Sequence, residues 1–466
     1  MSTEDDDAYS LFGPPREQVD DSFEELFPVA PTKQQIVEEE DNPLFPQKRG
    51  VESLPNERSP APTVPTYRST EEFKKSGNAI DIILVRNENG TTMASTPWHV
   101  AFSYSRFSSN NGTGEAVDVL LNGQKLPLPM LLNDKGRCAF PSGEDTPPED
   151  IMQFINEIIP LKNPPLFVPV RFEHRKRYSS TVRFVECRMY LWGPDDSAVV
   201  ADLDGTITIS DIEGHIRTLR LGQYDFIHKG ACGFYSKFQA IGLKILYLTA
   251  RPIHWADASR EHLDQAQQAP YRLPPGPLIT NSSGYTGALI AEVINKNPNV
   301  FKENMLNTIQ LACIHGGRRS SAPVFVAGFG NRPTDVLAYE AVGIDGASIF
   351  LIDPSSNLKA VKGAQVFESY SDPQALLWLL PKIKLKVPLA MQEIIDRYIA
   401  NEIVEAEERK AIKAQELKAD QPERTISSSR TLSSSSSSSR SYTRSTSASQ
   451  SSSYSVYASH PNRTEL

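Results

Sequence analysis

Two textures of apolar and polar positions alternate along the chain. One is the short, nearly unbroken apolar run: Ala198-Val199-Val200-Ala201, Leu243 to Leu248 and Val324-Phe325-Val326-Ala327. A strand covered on both faces needs that pattern, so these runs predict a parallel sheet with helices on either side. Helical stretches separate them, at Ala231 to Ile241, Ile253 to Ala266 and Met305 to Leu311. The second of these carries the acids and His of an ordinary exposed face. Ser348 to Pro354 reads as the last strand, closing an alternating β-α series. The other texture is strand-like alternation, over Ala79 to Val85, Trp98 to Phe102 and Val117 to Leu121, the last followed by the hairpin signal Asn122-Gly123. Leu166 to Val170, Ser180 to Val185 and Arg188 to Trp192 add strands of the same kind. Trp98 and His99 read as core and surface positions of their strand.

The connecting stretches differ in composition. Glu149 to Ile159 is a short amphipathic helix opened by prolines and acids. Val387 to Asp420 is a long helix whose stripe, Leu389, Ile394, Ile395, Tyr398, Ile399, Ile403 and Val404, is expected to pack on the body, since the opposite face is not basic. The first 72 residues are acidic and proline-rich and the last 46 serine-rich with interspersed arginines, and both read as disordered. Phosphorylation by a kinase, reversed by a phosphatase, would shift that tail from basic to acidic. The chain thus divides into an arm (1–72), a β domain (73–142), a linker with a short helix (143–165), further strands (166–197), an α/β unit (198–384), an amphipathic helix (385–420) and a tail (421–466).

The chemistry concentrates at the end of the first apolar run, Asp202-Leu203-Asp204-Gly205-Thr206. In a parallel sheet, ligands bind beyond the carboxyl ends of the strands. Two Asp at i and i+2 share one side of an extended chain, so both would face one ion and one substrate. Mg²⁺ takes hard oxygen ligands of this kind together with substrate phosphate oxygens. Asp202 is then the nucleophile that forms an aspartyl-phosphate, and Asp204 the acid that protonates the leaving oxygen and the base that activates water. Gly205 permits a sharp exit and Thr206 offers a hydroxyl near the phosphate. An isolated Asp-Gly turn is common, but the full pattern after four small apolar residues is not. It resembles the haloacid dehalogenase superfamily.

Other segments join that site. Leu248-Thr249-Ala250-Arg251 ends the second buried strand, where the Thr249 hydroxyl would bind a phosphoryl group. Lys296 and Lys302 precede a helix, and either would neutralise charge on the nucleophile and phosphate. Gly328-Phe329-Gly330-Asn331-Arg332-Pro333-Thr334-Asp335 follows the last buried run. There Asn331 or Asp335 completes a Mg²⁺ shell, a role compatible with capping the next helix. The basic cluster Arg171 to Arg177 reads either as a solvated hairpin face or as a surface steering an anionic headgroup.

Charge and cysteine narrow the class. Lys and Arg number 48 against 57 Asp and Glu, a net charge of −9, so nothing global recommends a nucleic-acid partner. Four scattered Cys form no C-x-x-C pair and fit reduced thiols in the cytosol or nucleus. No secretory h-region or bilayer-length apolar run is present, so membrane contact is expected to be peripheral.

Taken together these motifs resemble the lipin family of Mg²⁺-dependent phosphatidate phosphatases. The resemblance runs through Asp202 to Asp211, Gly214-His215, His228-x-Gly230, Pro275-Gly276-Pro277-Leu278, Phe301-Lys302 and Gly330-Asn331-Arg332-Pro333-x-Asp335-Val336. Ser76-Gly77 through Arg86, Pro97 to Val100 and Leu121-Asn122-Gly123 resemble the family's N-terminal domain. The resemblance implies a Rossmann-like haloacid dehalogenase catalytic domain. It also implies an immunoglobulin-like β-sandwich built from the N-terminal domain and the strands before the catalytic motif. The implied reaction is hydrolysis of phosphatidic acid to diacylglycerol and phosphate, in glycerolipid synthesis, at endoplasmic reticulum and nuclear membranes. Asp202 would be nucleophile, Asp204 acid/base, Thr249 a phosphate ligand, Lys302 the motif lysine with Lys296 as fallback, and Asn331 and Asp335 near the metal. Gly77 matches a glycine of the family's N-terminal domain that activity depends on. Two rival readings are a non-catalytic phosphatidate-binding module and a phosphatase for a soluble or protein phosphate. The family's amphipathic N-terminal helix and its coactivator motif have no counterpart here, since an acidic arm precedes Tyr67 and Gly214-His215-Ile216-Arg217 is not leucine-rich.

Overall fold

A computed structural model of the chain describes residues 72–103, 112–176, 179–209, 226–282, 298–363 and 365–419. The acidic arm, the Ser-rich tail, Ser210-Asp211, Gly214-His215 and Lys296 lie outside them.

The alternating half forms strands β1 (Glu72–Lys75), β2 (Gly77–Ala79), β3 (Ile82–Arg86), β4 (Met93–Ser95), β5 (Val100–Phe102), β6 (Ala116–Leu121), β7 (Gln124–Lys125), β8 (Met130–Leu132), β9 (Cys138–Ala139), β10 (Phe167–Arg175) and β11 (Thr181–Trp192), with helix α1 (Glu149–Ile158) before β10. One sheet runs in the order β4-β3-β11-β10-β6-β8-β9, with β1 beside β11 and β7 beside β6, while β2 and β5 pair separately. Parallel pairing of β3 with β11 sets Ile83 opposite Tyr190, and antiparallel pairing of β6 with β10 sets Val119 opposite Phe172. Strands from 73–142 and 166–197 therefore complete one another. The Asn122-Gly123 hairpin forms as expected, with both residues at positive φ (50° and 80°), the conformation a two-residue primed turn requires.

The structure sharpens three readings in this half. Ile151, Ile155 and Ile159 of the linker are buried in the core formed by Ile82, Leu84, Trp98, Val119 and Phe172, so this helix is part of the sheet's packing. The stretches at 180–185 and 188–192 are one strand, because β11 has to span partners on both of its edges. The basic cluster lies on a hairpin face, as one of its two readings has it, because β10 runs through Arg175 and pairs antiparallel with β11. There the Arg171 guanidinium stacks 3.8 Å from the Phe184 ring centroid and His174 Nε2 lies 2.7 Å from Glu115, so packing and hydrogen bonding engage two of its side chains. Trp98 is fully buried against Phe140 and Phe172.

The second sheet contains β12 (Ala198–Asp202), β13 (Lys244–Pro252), β14 (Leu278–Asn281), β15 (Phe325–Gly330), β16 (Ile349–Ile352), β17 (Leu358–Ala360) and β18 (Val366–Phe367). Its order is β14-β13-β12-β15-β16-β17-β18, parallel from β14 to β16. Ile349–Ile352 is the last parallel strand and closes the alternating β-α series as expected, although it is not the last strand, since two antiparallel strands follow. Helices α2 (Ala231–Ala240), α3 (Ala256–Gln265), α4 (Pro298–His315), α5 (Pro333–Ala341), α6 (Pro373–Lys384) and α7 (Leu389–Ala419) surround it. The architecture is mixed α/β, with one antiparallel-rich sheet and one largely parallel sheet.

The two sheets share a core. Along β3, Ile82 and Leu84 face the first sheet's interior, whereas Ile83 and Val85 pack with Tyr190, Val200, Leu246 and Leu306. The α7 stripe is half realised. Ile394, Ile395, Tyr398 and Ile399 cover the second sheet's other face, while Leu389 is 75% exposed and Ile403 and Val404 are about half exposed. Past that contact, buried Glu402 pairs with Lys237 of α2 and anchors the helix by charge. No helix among the described residues is long and apolar enough to cross a membrane.

Candidate active site

β12 ends at Asp202, in the middle of the parallel strands and fully buried along its length. Sheet order thus places this carboxylate centrally, at the carboxyl ends where ligands bind. The chain then leaves the strand in a tight turn in which the N–H groups of Ile207 and Thr208 both donate to Leu203 O at 3.1 Å. Gly205, at φ 72°, is the left-handed point that permits it. Behind the turn, Tyr370 Oη donates to Thr206 O at 3.0 Å and His228 Nε2 lies 3.3 Å from Gly205 O.

Lys302, near the start of α4, brings its Nζ 2.5 Å from Asp202 Oδ1 and 2.6 Å from Asp335 Oδ1. All three side chains are buried. Asp335 Oδ2 meanwhile accepts from the N–H groups of Asn331 (3.1 Å) and Arg332 (3.0 Å), capping α5. One oxygen caps the helix and the other accepts from Lys302, so the cap does not use up the carboxylate. Gly330 is required beneath it, because a Cβ there would fall 2.5 Å from Asp335 Cβ. Asn331 follows β15 directly at the rim of this cluster.

One ammonium serving two buried carboxylates leaves the cluster short of positive charge. Burial pushes the Asp202 carboxyl up to about 7; Lys302 opposes the rise, and Asp335 and then Asp204 add to it. Burial likewise works against the Lys302 charge, but the two carboxylates outweigh it and its pKa is raised.

Asp204 does not share that cation. The turn breaks the extended geometry that would align it with Asp202, and its carboxylate meets β13 instead. Arg251 reaches it through Nε at 2.9 and 3.1 Å and through Nη2 at 2.5 Å, and Thr249 Oγ1 donates to it at 2.8 Å. Thr249 is fully buried and also accepts from Arg251 N–H at 3.1 Å. Thr206 Oγ1 lies 3.4 Å from Asp202 Oδ2. Arg251 was legible as the partner of Thr249, since residues two apart on one strand face the same side. Its pairing with Asp204 was not legible, because it depends on how β12 and β13 align. Asp202, Thr206, Lys302, Asn331 and Asp335 are thus linked in one cluster, Thr249 and Asp204 stand beside it with Arg251, and Lys296 lies outside the described residues.

Gly77 sits apart, in β2. Its φ is 138°, and a Cβ would fall 2.1 Å from Ala101 O across the β2–β5 pair. Close approach of two backbones, not contact with the cluster, accounts for glycine at this position.

Asp202 and Asp335 are the carboxylates available to a divalent cation, and Asn331 is tied to Asp335 through its backbone N–H. No group of three or more His, Cys, Asp or Glu forms a metal-holding set among the described residues.

Comparison with known families follows this division of the chain. The family described as LNS2 (Lipin/Ned1/Smp2) matches residues 167–377, and the lipin N-terminal conserved region matches residues 64–158. Human phosphatidate phosphatase LPIN3 is 40% identical over 189 residues, 41% of this chain and 21% of that protein. Phosphatidic acid phosphohydrolase 1 of Saccharomyces cerevisiae is 39% identical over 175 residues, 36% of this chain and 20% of that protein. Phosphatidate phosphatase PAH1 of Arabidopsis thaliana is 33% identical over 196 residues, 41% of this chain and 21% of that protein. The alignments thus cover about a fifth of each of these relatives. With both conserved regions present in order, this chain belongs to the lipin family.

Proposed function

We propose that the chain is a Mg²⁺-dependent phosphatidate phosphatase that hydrolyses phosphatidic acid to diacylglycerol and phosphate. The observation that carries this reading is the buried cluster of Asp202, Lys302 and Asp335 at the end of β12, with Asp204 two residues beyond it. The activity for which these relatives are named supplies the substrate class.

In the first half-reaction Asp202 Oδ attacks phosphorus and the bond from phosphorus to the glycerol oxygen breaks. The Asp204 carboxyl gives its proton to that oxygen, so diacylglycerol leaves as the alcohol. In the second, water attacks the phosphorus of the aspartyl-phosphate and gives its proton to Asp204, which frees phosphate and restores Asp202. Lys302 neutralises charge on Asp202 and the phosphoryl oxygens throughout. The Thr206 hydroxyl beside Asp202, and the Thr249 hydroxyl and Arg251 guanidinium beside Asp204, would supply donors to the phosphoryl oxygens. A Mg²⁺ ion fits the donor set, because its hard oxygens and its deficit of positive charge suit a divalent cation. Asp202, Asp335 and Asn331 would hold it, and when bound it would offset charge on the phosphoryl group. The Asp204 side chain, engaged by Arg251 and Thr249, is the member of the expected set least suited to be a ligand.

The first sheet, in this reading, is the immunoglobulin-like companion of a haloacid dehalogenase catalytic domain. The protein would act from the cytoplasm, peripherally, on endoplasmic reticulum or nuclear membranes, where its substrate lies. Phosphate release from phosphatidate in detergent micelles, compared with release from p-nitrophenyl phosphate, each with and without Mg²⁺, tests the proposal. Mg²⁺-dependent release from phosphatidate supports it. Release from the soluble ester alone points to a soluble phosphatase, and phosphatidate binding without release to a lipid-binding module.

A further inference from the structure

Helix α3 lies between the first sheet and Asp204, and both ends of that connection are specific. From the N-terminal conserved region, Asn78 Oδ1 accepts from the N–H of Asp257 at 3.0 Å, in the first turn of α3. The helix's own preceding residue, Trp255, makes no side-chain cap bond, so a strand distant in sequence supplies the acceptor that a local N-cap normally gives. Lys75 Nζ pairs with Asp257 at 2.8 Å. One turn on, the buried Arg260 guanidinium donates to Asp81 Oδ1 at 3.0 Å and to Ala79 O at 2.8 Å. Asp81 also accepts from the backbone N–H groups of Arg188 and Leu278, both at 3.0 Å, which ties it to β11 and to the start of β14. At the last turn, Arg188 holds Asp264 in a bidentate pair at 2.8 and 2.5 Å.

The other face of α3 reaches the site. Ser259, fully buried and adjacent to Arg260, accepts from Arg251 Nη1 at 2.9 Å. The remaining guanidinium nitrogens of Arg251, Nε and Nη2, are the ones that grip Asp204. A guanidinium is a rigid planar fork, so fixing one arm fixes the direction of the others.

We infer that Asn78, Asp81 and Arg260 are positioning residues for Asp204, acting through helix α3, Ser259 and the Arg251 fork. The inference rests on the phosphatase reading of Asp204. The N-terminal strands thereby set the alignment of the acid/base residue as well as covering the core.

The test uses the full chain and compares Asn78→Ala with Asn78→Asp, which keeps an oxygen acceptor for the helix end. The expectation for Asn78→Ala is a loss of kcat of roughly tenfold with KM held within about twofold, the signature of a small misplacement at the reacting groups. Asn78→Asp restores kcat. In an Arg251→Lys background, which lacks the fork, Asn78→Ala lowers kcat no further, although it still lowers Tm. A residue that only stabilised the fold would lower kcat equally in both backgrounds, and that result overturns the inference. The Nε–H resonance of Arg251, assigned by its loss in Arg251→Lys, gives a readout that needs no turnover. It is expected to be sharp in the parent and broadened in Asn78→Ala and Ser259→Ala, and an unchanged resonance in both overturns the inference. Rates are taken on phosphatidate micelles and on p-nitrophenyl phosphate. A parent active only on the latter defeats the phosphatidate reading, while the same kcat ratios on that ester still decide the positioning role.

Discussion

Lys302 Nζ lies 2.5 Å from Asp202 Oδ1, buried with it and shared with Asp335 at 2.6 Å. A buried cation between two carboxylates is costly to remove from one side only, because the partners are left uncompensated. Lys302→Met is expected to destabilise the fold by about 3–5 kcal/mol and to abolish phosphate release. Chemical denaturation and a phosphate assay on the same preparation check both parts, and a variant that melts like the parent would contradict the pairing described.

The Arg251 fork makes a second prediction. Arg251→Lys keeps the charge but not the bidentate geometry, so kcat is expected to fall roughly a hundredfold while the fold survives. Circular dichroism melting and steady-state kinetics separate the two effects. An Arg251→Lys enzyme with parental kcat would mean that the Asp204 contact has no part in turnover.

At Gly77 any side chain meets Ala101 O at 2.1 Å, at a φ of 138°. Gly77→Ala therefore has to part β2 from β5 and is expected to cost about 2–4 kcal/mol. Thermal melting reads this directly, and a Tm equal to the parent's would show that the pair tolerates separation.

His262, on α3, supplies the pH dependence. Burial first, and then the neighbouring Arg251 charge, lower its pKa to about 4, while Asp204 works the other way. The unfolded chain takes up a proton below the ordinary value of about 6.5, whereas the folded protein resists until about 4. This contribution is therefore intact above pH 6.5 and is lost as pH falls toward 4, on the order of 3 kcal/mol in all. Urea unfolding between pH 7 and pH 4 should show a slope that His262→Gln flattens, and equal slopes in the two proteins would contradict the assignment.

The sequence carries the parallel strands well, because a strand covered on both faces has an unbroken apolar signature that few other elements share. Val199 to Asp202 and Phe325 to Ala327 are such cases. It carries the ends of helices poorly where another segment supplies the cap. Nothing near Trp255 announces α3's start, since the acceptor comes from Asn78. The same helix looks like an exposed face in the sequence, with Asp257, Arg260, His262 and Asp264, yet Arg260 and His262 are buried because Asp81 and Arg188 pair across to it. Long-range ion pairs of this kind turn a polar surface into an interface, and composition alone does not reveal them. The alternation of β10 looks short in the sequence for a similar reason, since the basic run after Val170 hides a strand on which Arg171 stacks over Phe184. At the site, residue types and spacing point to Asp202, Asp204 and Thr249 and offer Asp335, whereas Lys302 is preferred to Lys296 only through the family resemblance. Their division into an Asp202–Lys302–Asp335 cluster and an Asp204–Arg251 pair follows from the turn at Gly205, which only the fold displays.

The most direct test of the account is to follow the phosphoryl group. Phosphatidate labelled with ³²P in its phosphate, mixed with the enzyme in the presence of Mg²⁺ and quenched in acid, is expected to leave label on the parent protein at Asp202. Asp204→Asn, which lacks the base for the second step, should retain whatever label it gains for longer than the parent, and Asp202→Asn should take none. Label on Asp202→Asn, or turnover by that variant at the parent's rate, would contradict the assignment of Asp202 as nucleophile and with it the mechanism.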